Sequence, residues 1–176
     1  MNKKLLKRLF PVIAVLLLAP WPVAYGYEAS DASVGQETIQ ITAAEASAKP
    51  SWEAFGRAIG GVNPGDLFHI DATTSPADIS VTLYLTNAQE LVHAYRYLIL
   101  EVGIQVKNSD GDWEEASGHD GEPLPDTFIT MRNGRVSFML AGYAHYKLTI
   151  AGGSFYAFTP SGDGDSYSPQ FYLEVS

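Results

Sequence analysis

The sequence predicts an all-β protein, an antiparallel β-sandwich with one short N-terminal helix. Three observations carry this. From Pro64 to the C-terminus, apolar residues recur at nearly every second position, the period of a half-buried strand. Turn signals rich in Gly, Asn and Asp interrupt the alternation at near-regular intervals. Helical spacing is confined to short stretches. About nine short strands, each with one apolar face, suit two packed sheets.

The elements follow in chain order. Residues 27–50 are mostly Ala, Ser, Glu, Gln and Thr and read as a flexible lead-in. Within it, Glu37 to Ala43 alternates as a strand, with Ile39, Ile41 and Ala43 on one face. In residues 51–59, Trp52, Phe55 and Ile59 have helical spacing. Ser51 could cap such a helix and Gly60-Gly61 would end it. Leu67 to Asp71 is a short strand. Ile79 to Leu85 is a second, with Ile79, Val81, Leu83 and Leu85 inward. Asn87 to His93 allows a turn of helix. Tyr95 to Val106 is a long strand. Its inward set is Leu98, Leu100, Val102, Ile104 and Val106, and Tyr95 and Tyr97 begin the outward set.

Lys107 to Asp112 forms a hairpin turn in which Gly111 can take a positive φ, and Trp113 starts the return strand. Residues 116–126 form a polar loop. Asn133-Gly134 lies between two alternating runs, so Phe128–Met131 and Arg135–Leu140 are expected to pair as a hairpin. Tyr146, Leu148 and Ile150 line one strand, Phe155 to Phe158 make another, and Phe171, Leu173 and Val175 line the last. Residues 51–176 are thus expected to form a single β-sandwich domain.

Residues 1–26 have the order of a secretory signal. Lys3, Lys4, Lys7 and Arg8 precede an apolar run from Leu9 to Ala19, and Ala24 and Gly26 offer small residues before cleavage at Tyr27. The run is shorter than the roughly 20 apolar residues that span a bilayer. The expected location is secreted, extracellular or at the cell surface. No Cys is present, so neither a lipidated cysteine nor a disulfide framework is available. All 20 acids but only seven of the 11 bases follow residue 26, which leaves the mature chain near −13. Such a balance argues against nucleic acid or anionic lipid as a partner.

Ala144-His145-Tyr146-Lys147-Leu148 resembles the Ala-x-Tyr-x-Cys stretch of immunoglobulin strand F. There the tyrosine hydroxyl bonds back to the backbone at a sheet corner. The resemblance covers five residues and implies an immunoglobulin-like sandwich. Leu148 replaces the cysteine, and Gly142 stands where an aspartate is usual.

Candidate chemistry is sparse. Asn108, Asp110, Asp112 and Glu114 alternate in the hairpin, and calcium favours oxygen clusters of this kind. Asp110, Asp112 and Glu114 are the candidate calcium ligands, and a solvated turn is the alternative. The helix-loop-helix calcium pattern fails, with Trp113 at its glycine position. Ser161 to Asp165 reads as a flexible turn. His69 and Asp71 share a strand face, but zinc would need two more ligands. Ser154 lacks the second glycine of a nucleophile elbow, and Leu124-Pro125-Asp126-Thr127-Phe128 lacks the glycine of a cell-wall sorting signal. No enzyme chemistry is therefore expected.

Two roles remain. One is a structural or surface protein that assembles with copies of itself into a filament or layer. In it the strand around Ile39, Ile41 and Ala43 completes its own sheet or adds to a neighbour's. The other is a module that binds carbohydrate, such as surface glycans, or calcium. Tyr95, Tyr97, Tyr143, Tyr167 and Tyr172 are the aromatics that could stack on sugars or meet another subunit.

Overall fold

The computed structural model describes residues 26–29, 32–34, 37–54, 59–118, 121, 124, 127–158 and 169–176. The proposed leader up to residue 25, Tyr167 and the 161–165 turn lie outside the described residues. The architecture is all-β and sandwich-like, with strands β1 to β13 in chain order. One sheet runs β1 (Gly26–Ala29), β13 (Gln170–Val175), β7 (Ile79–Leu85), β11 (Arg135–Leu140). The other runs β10 (Thr127–Thr130), β8 (Tyr95–Lys107), β12 (His145–Ala157), β6 (Gly65–Asp71), β3 (Glu37–Ala43), β2 (Ala32–Val34). Three short strands extend it. β5 (Ile59–Asn63) pairs with the second half of β12 and carries β4 (Ser51–Ala54), and β9 (Trp113–Glu115) pairs with the end of β8. Every pairing is antiparallel except β1 with β13.

Alternation places the core. Ile79, Val81, Leu83 and Leu85 of β7 are buried, as are Leu98, Leu100, Val102 and Ile104 of β8. They join one cluster with Phe68, Ile129, Leu148 and Phe171. Burying each such side chain stabilises by about 1.5–3 kcal/mol. The expected turn of helix is α1 (Ala88–Leu91), which buries Leu91. Before it, the buried Asn87 accepts the Gln170 amide at 2.9 Å and so ties this turn to β13.

Three expectations need correction. The helix over 51–59 is not formed: Ser51–Ala54 is strand β4, and Ile59 opens β5. Trp52 packs edge-on to Phe155 at 5.2 Å and stacks on Tyr95 at 6.3 Å. Gly60 and Gly61, expected as a helix stop, pair instead with Phe155 and Ser154 inside the sheet. Aromatic packing and strand pairing outweigh a weak local helix preference.

Next, Asn133-Gly134 does not close a hairpin. β10 pairs with β8 and β11 pairs with β7, so the chain crosses from one sheet to the other at this turn. The Asn133 carboxamide accepts the Thr130 amide at 2.6 Å and donates to the Phe128 carbonyl at 2.7 Å. The Gly134 amide reaches the Thr130 carbonyl at 2.9 Å with φ +47°, and the Gly134 carbonyl accepts the Leu85 amide at 2.8 Å. These bonds aim the exit at β7 instead of back along β10.

Finally, the two strands expected within 146–158 are one, β12, with irregular register between Ile150 and Gly152. Gly153 is needed there for close approach. A Cβ on Gly153 would lie 2.6 Å from the Ile99 carbonyl oxygen and 3.0 Å from the Leu100 side chain. A second irregularity, between Tyr156 and Ala157, pairs Ala157 with Tyr95 and lets Tyr95 pack against Trp52 and Phe155. Tyr95 is thus half-buried and not on the outer row with Tyr97.

The Tyr146 hydroxyl donates to the Ala141 carbonyl at 2.8 Å, and burial pushes its pKa up, which keeps the proton available. Tyr146→Phe removes this donor inside a packed corner. Denaturant unfolding should show a loss of about 1–3 kcal/mol. An unchanged midpoint would show that the bond contributes nothing.

Candidate functional site

The sheet orders leave the sandwich with open edges. Among the described residues, β11 has a strand partner only in β7, and β1 only in β13, so they bound opposite sides of one sheet. β10 and β2 likewise stand at the two ends of the other sheet's order. β10 and β11 touch across the layers to form one rim, and contacts of β1 with β3 and of β2 with β13 form the other. A hairpin between β10 and β11 would have closed the first rim. The crossing at Asn133-Gly134 instead leaves β11 without a second strand partner among the described residues, while the turn's own bonds take the Phe128 carbonyl and the Thr130 amide and carbonyl of β10.

Exposed apolar residues lie on and beside the strands of the first rim, on the outer faces of both sheets. Tyr97 and Ile99 lie on the outer face of β8, Phe128 on β10, Val92 after α1 and Met139 on β11, each between 37% and 48% exposed. A groove of about 340 Å³ runs here, lined by Val92, Arg96, Tyr97, Ile99, Met131 and Arg132. Clustered exposed apolar side chains beside the β11 edge suit contact with another chain. Three of the seven bases after residue 26 stand here or on β11: Arg96, Arg132 and Arg135.

The sequence-predicted assembly residues have a defined place. Ile39 and Ile41 are buried in the core and Ala43 packs against it. β3 pairs through residues 40–43 with β6 and through 37–39 with β2, within its own chain.

The candidate calcium residues surround the β8–β9 turn. The Asn108 carboxamide accepts the Asp110 amide at 3.1 Å and the Asp112 amide at 2.9 Å, and Gly111 takes φ +91°. Asp110, Asp112 and Glu114 are exposed around this turn. Among the described residues, no three His, Asp or Glu side chains gather in an arrangement that could hold a metal ion.

A second surface lies at the other end of the β8–β12 face. The register sets Gln40, Asp71 and His145 in one row, and Thr42, His69, Lys147 and Gln105 in the next. Trp113, paired with Lys107, borders them. The His69 ring meets Trp113 edge-on at 5.9 Å, and the Lys147 ammonium sits 4.9 Å from the indole. Lys147 also pairs with Asp66 at 3.4 Å, and His145 Nδ1 lies 3.5 Å from Asp71 Oδ1. The Thr73 hydroxyl and amide donate to that same Asp71 oxygen at 2.6 and 3.1 Å. Together with His145 they hold the Asp71 carboxyl below its ordinary pKa, against partial desolvation. The sequence placed His69 and Asp71 on one face. The contributions of β3, β9 and β12 depend on long-range register.

Of the predicted aromatics, Tyr143 and Tyr97 are exposed, whereas Tyr172 is half-buried 6.1 Å from Tyr84. Among the described residues the exposed aromatics are Tyr97 on β8, Phe128 on β10, Tyr143 in the β11–β12 turn and Phe158 after β12. No protein-family model matches this chain, and no curated protein matches it.

A carboxylate with a depressed folded pKa stabilises above its unfolded pKa and loses that contribution as pH falls through the folded value. Asp71→Asn should therefore lower the melting temperature near pH 7. The gap to wild type should close as pH drops below the ordinary value of 3.8. A gap constant between pH 7 and pH 3 would contradict the assigned hydrogen bonds.

Proposed function

We propose that this chain is a secreted, non-enzymatic structural module that assembles with copies of itself by joining sheet edges. The observation that carries the reading is the pair of open edges, β11 and β1, on opposite sides of one four-stranded sheet. Joining β1 of one copy to β11 of the next would continue the sheet from molecule to molecule. Unlike surfaces that meet head-to-tail propagate into rings or open filaments. The exposed Met139 and the apolar groove beside β10 supply area that water leaves on contact.

Charge supports the same pairing. Residues 27–37 carry Glu28, Asp31 and Glu37 and no base, while the β10–β11 rim carries Arg96, Arg132 and Arg135. Strand exchange around Ile39, Ile41 and Ala43 is the less economical route. It would require withdrawing two buried isoleucines from the core, at about 1.5–3 kcal/mol each. We further read the sandwich as immunoglobulin-like. The Tyr146 hydroxyl bond to a carbonyl five residues upstream supports this, as does the facing of β7–β11 by β8–β12. The pairing of β13 with β7 instead of β12 is a departure from that pattern.

Purified residues 27–176 should form filaments under negative-stain electron microscopy. Met139→Lys puts a charge on the open edge and should leave a monomer of unchanged melting temperature. Removing residues 27–35 should also abolish filaments. A wild-type chain that stays monomeric at high concentration would sink the proposal, as would filaments that survive both changes.

A further inference from the structure

We infer that the outer-face basin around Trp113 binds a neutral sugar. The basin measures about 280 Å³ and is bordered by Gln40, Thr42, His69, Asp71, His145 and Trp113, from four different strands. None of these six is among the fully buried core residues. A sugar ring offers an apolar face of C–H groups and a rim of hydroxyls that both donate and accept. An indole beside a carboxylate, a carboxamide and imidazoles matches both features.

Pre-organisation strengthens the match. Thr73 and His145 fix one oxygen of Asp71 in place, and Asp71 Oδ2 remains able to accept a ligand hydroxyl. Lys147, held by Asp66 over one face of the Trp113 ring, orders the indole at the basin's border before a ligand arrives at the rest of it. An ordered site spends less of its interaction energy on immobilising side chains.

The charge balance selects neutral over acidic sugars. Lys147 is paired with Asp66, Asp71 offsets Lys107 in charge across the basin, and Glu114 and Glu115 follow Trp113 directly. The chain beyond residue 26 is strongly acidic, which opposes the approach of a polyanion. The basin lies at the far end of β8 from the apolar groove, so ligand binding and edge contact involve separate residues.

The test uses cellohexaose, mannohexaose and chitohexaose in calorimetry, with polygalacturonate as the acidic control. At least one neutral hexamer should bind. Trp113→Ala and Asp71→Asn should each weaken it about tenfold, or by ~1.4 kcal/mol. Met139→Lys should bind as wild type does. Circular dichroism of each variant establishes that it is folded, and Trp113→Phe, which keeps an aromatic ring, should retain part of the affinity if Trp113→Ala does not fold. Absence of binding to all three hexamers overturns the inference. So does stronger binding to polygalacturonate, or affinity that Trp113 and Asp71 substitutions leave unchanged. Because Met139→Lys separates the two surfaces, failure here leaves the assembly reading to its own experiment.

Discussion

The rest of the structure depends on the ladder between β8 and β12. Tyr146 pairs with Val106 at one end and Ala157 with Tyr95 at the other, so two 13-residue strands run side by side for nearly their whole length. β12 then offers its second side to β6 in its first half and to β5 in its second half. β8 does the same with β9 and β10. Such length accumulates twist, and the irregular registers at Ile150/Gly152 and Tyr156/Ala157 accommodate it. Gly153 is what lets the two backbones remain close after the first irregularity, since a Cβ there would collide with the Ile99 carbonyl.

The same ladder divides one sheet face into two chemically distinct ends. Toward the start of β8 and the end of β12, the outer residues are Tyr97, Ile99 and Tyr156. Toward the other end they are Gln105, Lys107, His145 and Lys147. The apolar end adjoins β10, which ends that sheet's order, and the polar end adjoins the sheet's interior neighbours β6 and β3. The proposed self-contact and the proposed sugar site thus sit where the local chemistry suits each.

Much of the sandwich was legible because period-two alternation is a local signal. The span Ile79–Leu85 was readable residue for residue, as were the Gly111 turn and the buried stripe of β8 from Leu98 to Ile104, with Val106 only half-buried. What failed was pairing. Asn133-Gly134 has the composition of a hairpin turn, yet its destination is set by bonds from Asn133 and Gly134 to Phe128, Thr130 and Leu85. Residues 146–150 and 155–158 read as two strands, yet they are one, and Gly153 between them answers a close approach from a strand some fifty positions earlier. The basin around Trp113 was hidden for the same reason. Gln40, His69, Trp113 and His145 are far apart in sequence, and only the register between strands brings them together.

Open edges on an acidic sandwich raise a problem of specificity, and charge placement offers a solution. Unpaired strands invite indiscriminate pairing, which a strong negative charge opposes at long range. The repulsion is not uniform. Bases collect at the β10–β11 rim, and the segment bearing β1 and β2 holds only acids. Contact between two like rims would set arginine against arginine or carboxylate against carboxylate. Contact between unlike rims brings opposite charges together beside an apolar groove. Like-charge juxtaposition penalises the wrong partner, and complementary charge sets the register of the right one. Within the proposed assembly a two-fold dimer would be the disfavoured product and head-to-tail growth the favoured one. The acidity that argues against nucleic acid and anionic lipid as partners is then also the device that gives the proposed assembly its direction.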